Sequence, residues 1–419
     1  MLGLRHLPLQ YRLPLIHGAL RLLGRNRARH WARADTTAPK PGPLVLSAFF
    51  KDSTGIGRGG RLTSQALKAA GYNLIEHDLR PGFKRILQGD AKLPGHGGVW
   101  FIHANAPETL VAFLAHDPRS WADRYRIAYW AWETPKMPAD WVWIADYLHE
   151  IWVPSHFVFD AAAAAFHQAG RDDLIVRLRI MPHPLPPVVA KTYLEAQQRF
   201  GLDPDVCEVL CLFDTKSSAT RKNPWSVIEA WCLAFPEPAT EARLTLKVSD
   251  LTGDRPTQNR LHAVIMARPD IRILAEQLSD AEMDALICAC DLMISLHRSE
   301  GFGLTLAEAM AAGVGIIATG WSGNMDFMTP ANARLVPVKL VPVRDPAGPY
   351  AGYDKDHDQV WAEPDVAVAA AALRELTADD SARRDLILAA KSDIRKLDLP
   401  WQHDTLQALA FNLYLPAMP

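Results

Sequence analysis

The chain has few cysteines, no long apolar run and almost no net charge, and each shortage removes a class of protein. Five cysteines in 419 residues, an odd number at irregular positions, exclude a secreted disulfide scaffold. Cys288 and Cys290 fall close together on one apolar helical stretch and read as buried thiols rather than metal ligands. No uncharged apolar stretch approaches the roughly 18 residues that a transmembrane helix needs, so no span is expected. A net charge of -2, from 45 basic and 47 acidic residues, argues against a nucleic-acid-binding body, so no nucleic-acid partner is expected. Neither an internal repeat nor a low-complexity tract is visible. What is present is 49% hydrophobic residues and 13 tryptophans, the composition of a packed enzyme long enough for two domains.

The small net charge hides an uneven spread. Residues 1–42 hold Arg5, Arg12, Arg21, Arg25, Arg27, Arg29, Arg33 and Lys40 against Asp35 alone, a basic leader whose cations alternate with leucines. Such a segment suits an anionic membrane surface, with residues 1–30 as the contact. A poorly ordered tail and a helix docked on the body are the alternatives. Pro8 and Pro14 are expected to interrupt any long helix here. The leader lacks the apolar core and small-residue cleavage site of a secretory signal, so a cytoplasmic location is expected, with the inner membrane face as a peripheral site.

Beyond the linker Pro39–Pro43, short apolar runs alternate with helical stretches. Leu44–Phe50, Val99–Ile102, Ile127–Trp130 and Glu150–Val153 read as buried strands, with a glycine loop at 55–60 and a helix from Leu62 to Ala70. A stiff Met181–Pro187 segment reads as a hinge. A second series runs through strands at 208–213, 244–248, 271–274, 292–296 and 314–318, with helices Trp225–Phe235 and Asp280–Cys288, and Gln402–Tyr414 is helical in pattern. Strands alternating with helices imply parallel sheets covered on both faces. The expected division is 1–42 leader, 43–187 first domain, 188–398 second domain and 399–419 a terminal helix.

The most informative segment is Ser299-Glu300-Gly301-Phe302-Gly303-Leu304-Thr305-Leu306-Ala307-Glu308, which follows an apolar strand and opens a small-residue helix. Glu300 falls on the turn and Glu308 near the second helical turn. The amides of Gly301, Phe302, Gly303 and Leu304 lie at a helix N-terminus, where a phosphate is well received. Acids suited to sugar hydroxyls beside an anion-binding turn describe a nucleotide-sugar site. With Cys290–Arg298 as the strand before it and Ala311–Asn324 as the helix end, strand and loop after it, the segment resembles the Glu-x7-Glu signature of group 1 glycosyltransferases of the GT-B fold, a retaining family.

The resemblance covers roughly residues 43–400 and implies an α/β GT-B architecture: two doubly wound Rossmann-like domains with a cleft between them, the acceptor on the first and the donor on the second. It implies that Glu300 holds donor-sugar hydroxyls and Glu308 the ribose, and that no metal cofactor is required. The Asp214–Pro224 stretch resembles the family's donor-phosphate loop. Lys222 matches its lysine, Lys216 stands where the family has arginine, and Arg221 is a candidate for the missing guanidinium. Ala275-Glu276-Gln277 sits where relatives admit the nucleobase. Gly55-Ile56-Gly57-Arg58-Gly59-Gly60 fits Gly-x-Gly-x-x-Gly, which leaves a dinucleotide reading open. In the resembled family a flexible glycine loop here closes towards the donor phosphates, making Gly57, Arg58 and Gly59 candidates. His103 is either an acceptor-side residue or a structural histidine. Glu133 takes the place where many relatives have a histidine, Asp326 is a donor or acceptor contact, and Trp130, Trp132, Trp141 and Trp143 are sugar platforms or packing.

The expected activity is transfer of a hexosyl or deoxyhexosyl group from a nucleotide sugar to a glycan or glycolipid hydroxyl in polysaccharide or lipid-linked glycan assembly. A sugar-nucleotide isomerase, a non-catalytic binding protein and a nicotinamide oxidoreductase are the rivals.

Overall fold

The computed structural model describes residues 9–186, 193–248, 251, 255–345, 348–350 and 359–416. The Pro187 end of the hinge segment and the leader residues 1–8, Arg5 included, lie outside them. Two compact units divide the chain, Met1–Pro184 with Leu397–Pro419, and Leu185–Lys396.

In the first unit β1 (Leu44–Ala48), β2 (Leu74–Asp78), β3 (Val99–Ile102), β4 (Tyr125–Tyr129), β5 (Glu150–Val153) and β6 (Leu178–Ile180) form a parallel sheet in the order β2-β1-β3-β4-β5-β6. The four inner strands are buried along their whole length, as parallel strands covered on both faces must be. The carboxyl end of the chain completes this unit's core. Trp401, Leu406 and Phe411 are buried with Trp152 and Tyr72, and the Tyr72 hydroxyl donates to Asn412 Oδ1 at 2.9 Å.

The leader is part of this unit. A helix spans Leu9–Ala28 and runs through Pro14, contrary to the expected interruption. Pro14 sits in the second turn, where it costs a single ladder hydrogen bond, and tertiary contacts further along hold the helix. Gly24 lies so close to Leu110 that an added Cβ would stand 2.8 Å from Leu110 Cδ1. Arg27 donates to the carbonyls of Ile86, Leu114 and Leu87. Trp31 is buried edge-on against Trp121 and Tyr147. The docked-helix alternative describes this segment.

The glycine loop is also corrected. Residues 55–60 are the start of a helix, Gly55–Ala69, whose N-cap Thr54 accepts from the Gly57 amide. Glycine's poor helix propensity is overridden by packing. A Cβ on Gly57 would stand 2.3 Å from the Asp52 carbonyl oxygen, and one on Gly59 would stand 2.8 Å from His183 Cε1. These glycines serve close approach rather than looseness. The terminal helix shrinks to His403–Gln407 followed by a 3-10 segment, Ala410–Tyr414.

In the second unit β7 (Cys207–Phe213), β8 (Ala242–Val248), β9 (Ile271–Leu274), β10 (Leu292–Ser295), β11 (Gly315–Thr319) and β12 (Arg334–Val336) form a parallel sheet in the order β12-β11-β10-β7-β8-β9. A short antiparallel pair, β13 (Val338–Pro342) and β14 (Val360–Pro364), follows. Strand order reverses between β7 and β10, so the loops that leave their carboxyl ends emerge side by side. That switch point is where open α/β sheets bind ligands.

Candidate functional site

The two loops at the second unit's switch point are 214–223, after β7, and 296–303, after β10. Among the described residues the non-glycine positions with left-handed φ are Ser218 (77°) and Asn223 (52°), both in the loop after β7, and Ser322 (80°), in the loop after β11 that adjoins Glu300. Backbone strain concentrated in one place needs surrounding structure to hold it. Ser218 caps the single turn Ala219–Lys222, accepting from the Arg221 amide at 3.1 Å, and Pro224 opens the helix Pro224–Ala234. The loops are stitched together by Asn223 Nδ2 to the Leu296 carbonyl (3.0 Å), Arg298 NH1 to the Thr220 carbonyl (2.7 Å) and Arg221 NH1 to the Ser299 carbonyl (2.7 Å).

This stitching brings three sequence-predicted residues together. Lys222 Nζ donates to Glu300 Oε1 at 2.6 Å, and Arg221 NH1 lies 3.2 Å from Glu300 Oε2. Burial alone would push the Glu300 carboxyl up. Lys222, Arg221 and His297 outweigh it and hold the group down at about 2, so the carboxylate is ionised at neutral pH. Its backbone is pinned on both sides, the amide donating to Ser322 Oγ at 2.9 Å and the carbonyl accepting from the Gly323 amide at 2.9 Å. The Arg221 guanidinium thus stands beside Lys222, both against the same carboxylate. The backbone of Lys216 lies in the turn Thr215–Ser217, and its side chain is outside the described residues.

Gly303, with φ 91°, caps the helix Leu304–Ala312. Gly301 and Phe302 precede it, and Phe302 packs on Phe327 with ring centroids 5.1 Å apart. Glu308 is buried in this helix. Asp326 is exposed at the end of the turn Gly323–Asp326. At the proposed base position, Glu276 is exposed and paired with Arg199 at 3.0 Å.

His297 was not singled out in the sequence. Fully buried at the end of β10, it faces Ser295 Oγ through Nδ1 (3.1 Å) and Asn324 Oδ1 through Nε2 (3.1 Å), while its carbonyl accepts from Thr319 Oγ1 (2.7 Å). Burial pushes the ring down to about 4, so it is neutral and can donate through only one nitrogen. It ties the loop bearing Glu300 to the loop bearing Asn324. Its position directly after a strand was the available signal.

The first-unit candidates are placed differently. His103 ends β3, is 2% exposed and stacks on Tyr129 with centroids 4.4 Å apart. Gly59 and His183 close over it. Burial drives it down to about 3, and neither ring nitrogen has a hydrogen-bond partner among the described residues. Gly57, Arg58 and Gly59 lie in helical turns rather than a mobile loop. Glu133 is half-buried in the loop after β4. Trp130, Trp132 and Trp141 are buried and packed edge to face, which makes them core rather than a sugar platform. Among the described residues no group of three or more His, Cys, Asp or Glu side chains is placed to hold a metal ion.

Two doubly wound parallel units, the second with a cation-flanked glutamate at its switch point, define a GT-B fold. Residues 222–348 match the family described as Glycosyl transferases group 1. Similar solved structures include HepE of Anabaena in complex with UDP and glucose, 14% identical, covering 88% of this chain and 100% of that one, with a TM-score of 0.56. A glycosyltransferase of Rickettsia africae is 13% identical over 90% of this chain and 98% of its own, with a TM-score of 0.59. Sucrose-phosphate synthase of Thermosynechococcus elongatus is 14% identical over 89% and 98%, with a TM-score of 0.58. No curated protein matches the chain.

Proposed function

We propose that this glycosyltransferase uses a nucleoside-diphosphate sugar and moves the sugar, with retention, to a hydroxyl of a glycan or glycolipid in polysaccharide or lipid-linked glycan assembly. The observation that carries the reading is the Arg221–Glu300–Lys222 cluster at the switch point, beside the start of the Leu304 helix. The bond from the anomeric carbon to the diphosphate oxygen breaks, the acceptor oxygen bonds to the same face, and its proton passes to the departing diphosphate. Lys222 and Arg221 meet the charge that grows on the leaving oxygen, so no metal cofactor is invoked. Glu300 receives donor-sugar hydroxyls and Glu308 the ribose diol. The complex of HepE with UDP and glucose supports a uridine nucleotide as the first donor class to test.

The test is a thermal-shift panel of nucleoside diphosphates and nucleotide sugars. A ligand of the folded state raises the melting point by linkage. A shift with one base, abolished in Lys222→Ala, is the expected result; no shift with any nucleotide at millimolar concentration refutes the donor reading.

The acceptor is assigned to the first unit, and the leader helix to the inner face of an anionic membrane. One face of that helix is docked, while Tyr11, Leu15 and Leu22 are 59%, 55% and 72% exposed along another. Because Trp31 and Arg27 build the unit's core, deleting the leader would unfold what it is meant to test. Leu15→Glu with Leu22→Glu is the cleaner probe: liposome binding is lost and donor turnover kept. Unchanged partitioning rejects membrane contact.

A further inference from the structure

The two cations assigned to the donor diphosphate are already occupied by a carboxylate of the same chain. Lys222 Nζ and Arg221 NH1 stand 2.6 and 3.2 Å from the two oxygens of Glu300, and the three side chains are 20%, 4% and 12% exposed respectively. A carboxylate and a phosphate are the same kind of ligand to an ammonium and a guanidinium. So enclosed a pair of cations does not serve two full anions at once without loss, because charges in a partly desolvated site are weakly screened. The Glu300 backbone is fixed by Ser322 Oγ and the Gly323 amide, so rotation of the side chain alone exchanges its partners.

We propose that Glu300 is a resident counter-ion of the diphosphate seat, which makes the site hold a sugar-bearing donor in preference to the spent nucleoside diphosphate. This rests on the donor reading above. A bound sugar offers hydroxyl protons that draw the Glu300 carboxylate off Lys222 and free the cation for phosphate. Once the sugar has left, those hydroxyls are gone. The carboxylate then returns to Lys222 and Arg221 and weakens their hold on the product. The device needs no movement of the fold, and it speeds release of a product that two buried cations would otherwise retain. Arg221 also keeps its bond to the Ser299 carbonyl, so Lys222 is the more exchangeable partner.

The experiment is calorimetric titration of the full chain with UDP, and in parallel GDP and ADP, against wild type and Glu300→Gln. Glutamine keeps the shape and removes the charge. The proposal expects the variant to bind the nucleoside diphosphate about fivefold tighter or more, a coupling of the usual size between linked sites. The corresponding nucleotide sugar should gain less. A folded variant that binds the diphosphate equally or more weakly overturns the counter-ion role and leaves the donor reading standing. Wild type that binds no nucleotide at all overturns both. Should Glu300→Gln fail to fold, Glu300→Asp carries the same test, since a carboxylate one methylene shorter cannot reach both cations. It too must tighten diphosphate binding.

Discussion

Gly323→Ala tests the site without touching a charge. Gly323 does not adopt a left-handed φ, so alanine is compatible with its backbone and the cost comes from contact alone. The added Cβ would stand 2.1 Å from the Gly301 carbonyl oxygen, 2.4 Å from its carbonyl carbon and 2.7 Å from the Phe302 amide. All three are backbone atoms, and no side chain can swing aside. The loop must retreat by about 1 Å to restore ordinary contact, with an overpacking cost of about 1–3 kcal/mol. That retreat pulls on the Gly323 amide to Glu300 carbonyl bond and on the Ser322 hydroxyl that receives the Glu300 amide. Each is worth about 1 kcal/mol net. The total, about 3–5 kcal/mol, lowers the melting transition of the second unit by roughly 10 °C. Displacing Glu300 by about 1 Å reduces transfer on the order of a hundredfold. Calorimetry and a single-turnover donor assay read the two effects. A variant with wild-type stability and rate refutes the close packing of these loops and the positioning of Glu300 by them.

Acidification should destabilise the first unit more steeply than the second. Burial lowers His103 to about 3, His116 to about 4 and His149 to about 3 in the first unit, and His297 to about 4 in the second. Their stabilising contribution is complete above the unfolded value of about 6.5 and is lost as pH falls towards the folded values, at about 1.4 kcal/mol per pH unit for each. His183 and His77, also in the first unit, are lowered by burial too, and Glu108, raised by burial to about 7, runs the other way and offsets only one of these histidines. Denaturant midpoints at pH 7.5, 6 and 5 check the ordering, and equal slopes in the two units reject it. Arg126→Ala should cost at least about 3 kcal/mol, since burying orphaned carbonyls costs about 1–3 kcal/mol each. The guanidinium serves the Tyr147, Trp121 and Ala32 carbonyls and Thr37 Oγ1. Urea unfolding of the variant measures it, and a change under 1 kcal/mol would show those acceptors find other donors.

The inner strands were legible because a parallel strand covered on both faces must be apolar throughout. β1, β3 and β10 read as nearly continuous apolar runs, and β7 does so from Val209 onward, after the buried Glu208. Edge strands do not obey the same demand. β2 at Leu74–Asp78 leaves Ile75 and Glu76 exposed, carries a histidine and an aspartate, and has no continuous apolar run to detect. β6 and β12 are three-residue edges with the same disguise. The glycine-rich start of the Gly55 helix and Pro14 inside the leader helix fail for a different reason. Propensity describes an isolated chain, and here backbone approach to Asp52 and His183, or docking through Arg27 and Trp31, outweighs it.

The site divides along the same line. Glu300, the glycine turn and Glu308 are local in sequence, so their spacing on one strand-to-helix junction could be read directly. The pairing of Lys222 with Glu300 spans 78 residues and exists only because β7 and β10 are neighbours in the sheet. Nothing in either segment alone specifies that adjacency. It follows from the order this unit adopts: its first strand, β7, is flanked by its second, β8, and its fourth, β10, so the carboxyl-end loop of β7 faces that of β10. The first unit has a different order, with β1 between β2 and β3, and there the loop after β1 lies beside the end of β3. What meets there is the Gly55 helix against a buried, neutral His103. Each order produces a switch point, and at the second Lys222 and Arg221 stand together beside Glu300. The proposed donor site in the second unit rests on that cluster more than on the fold.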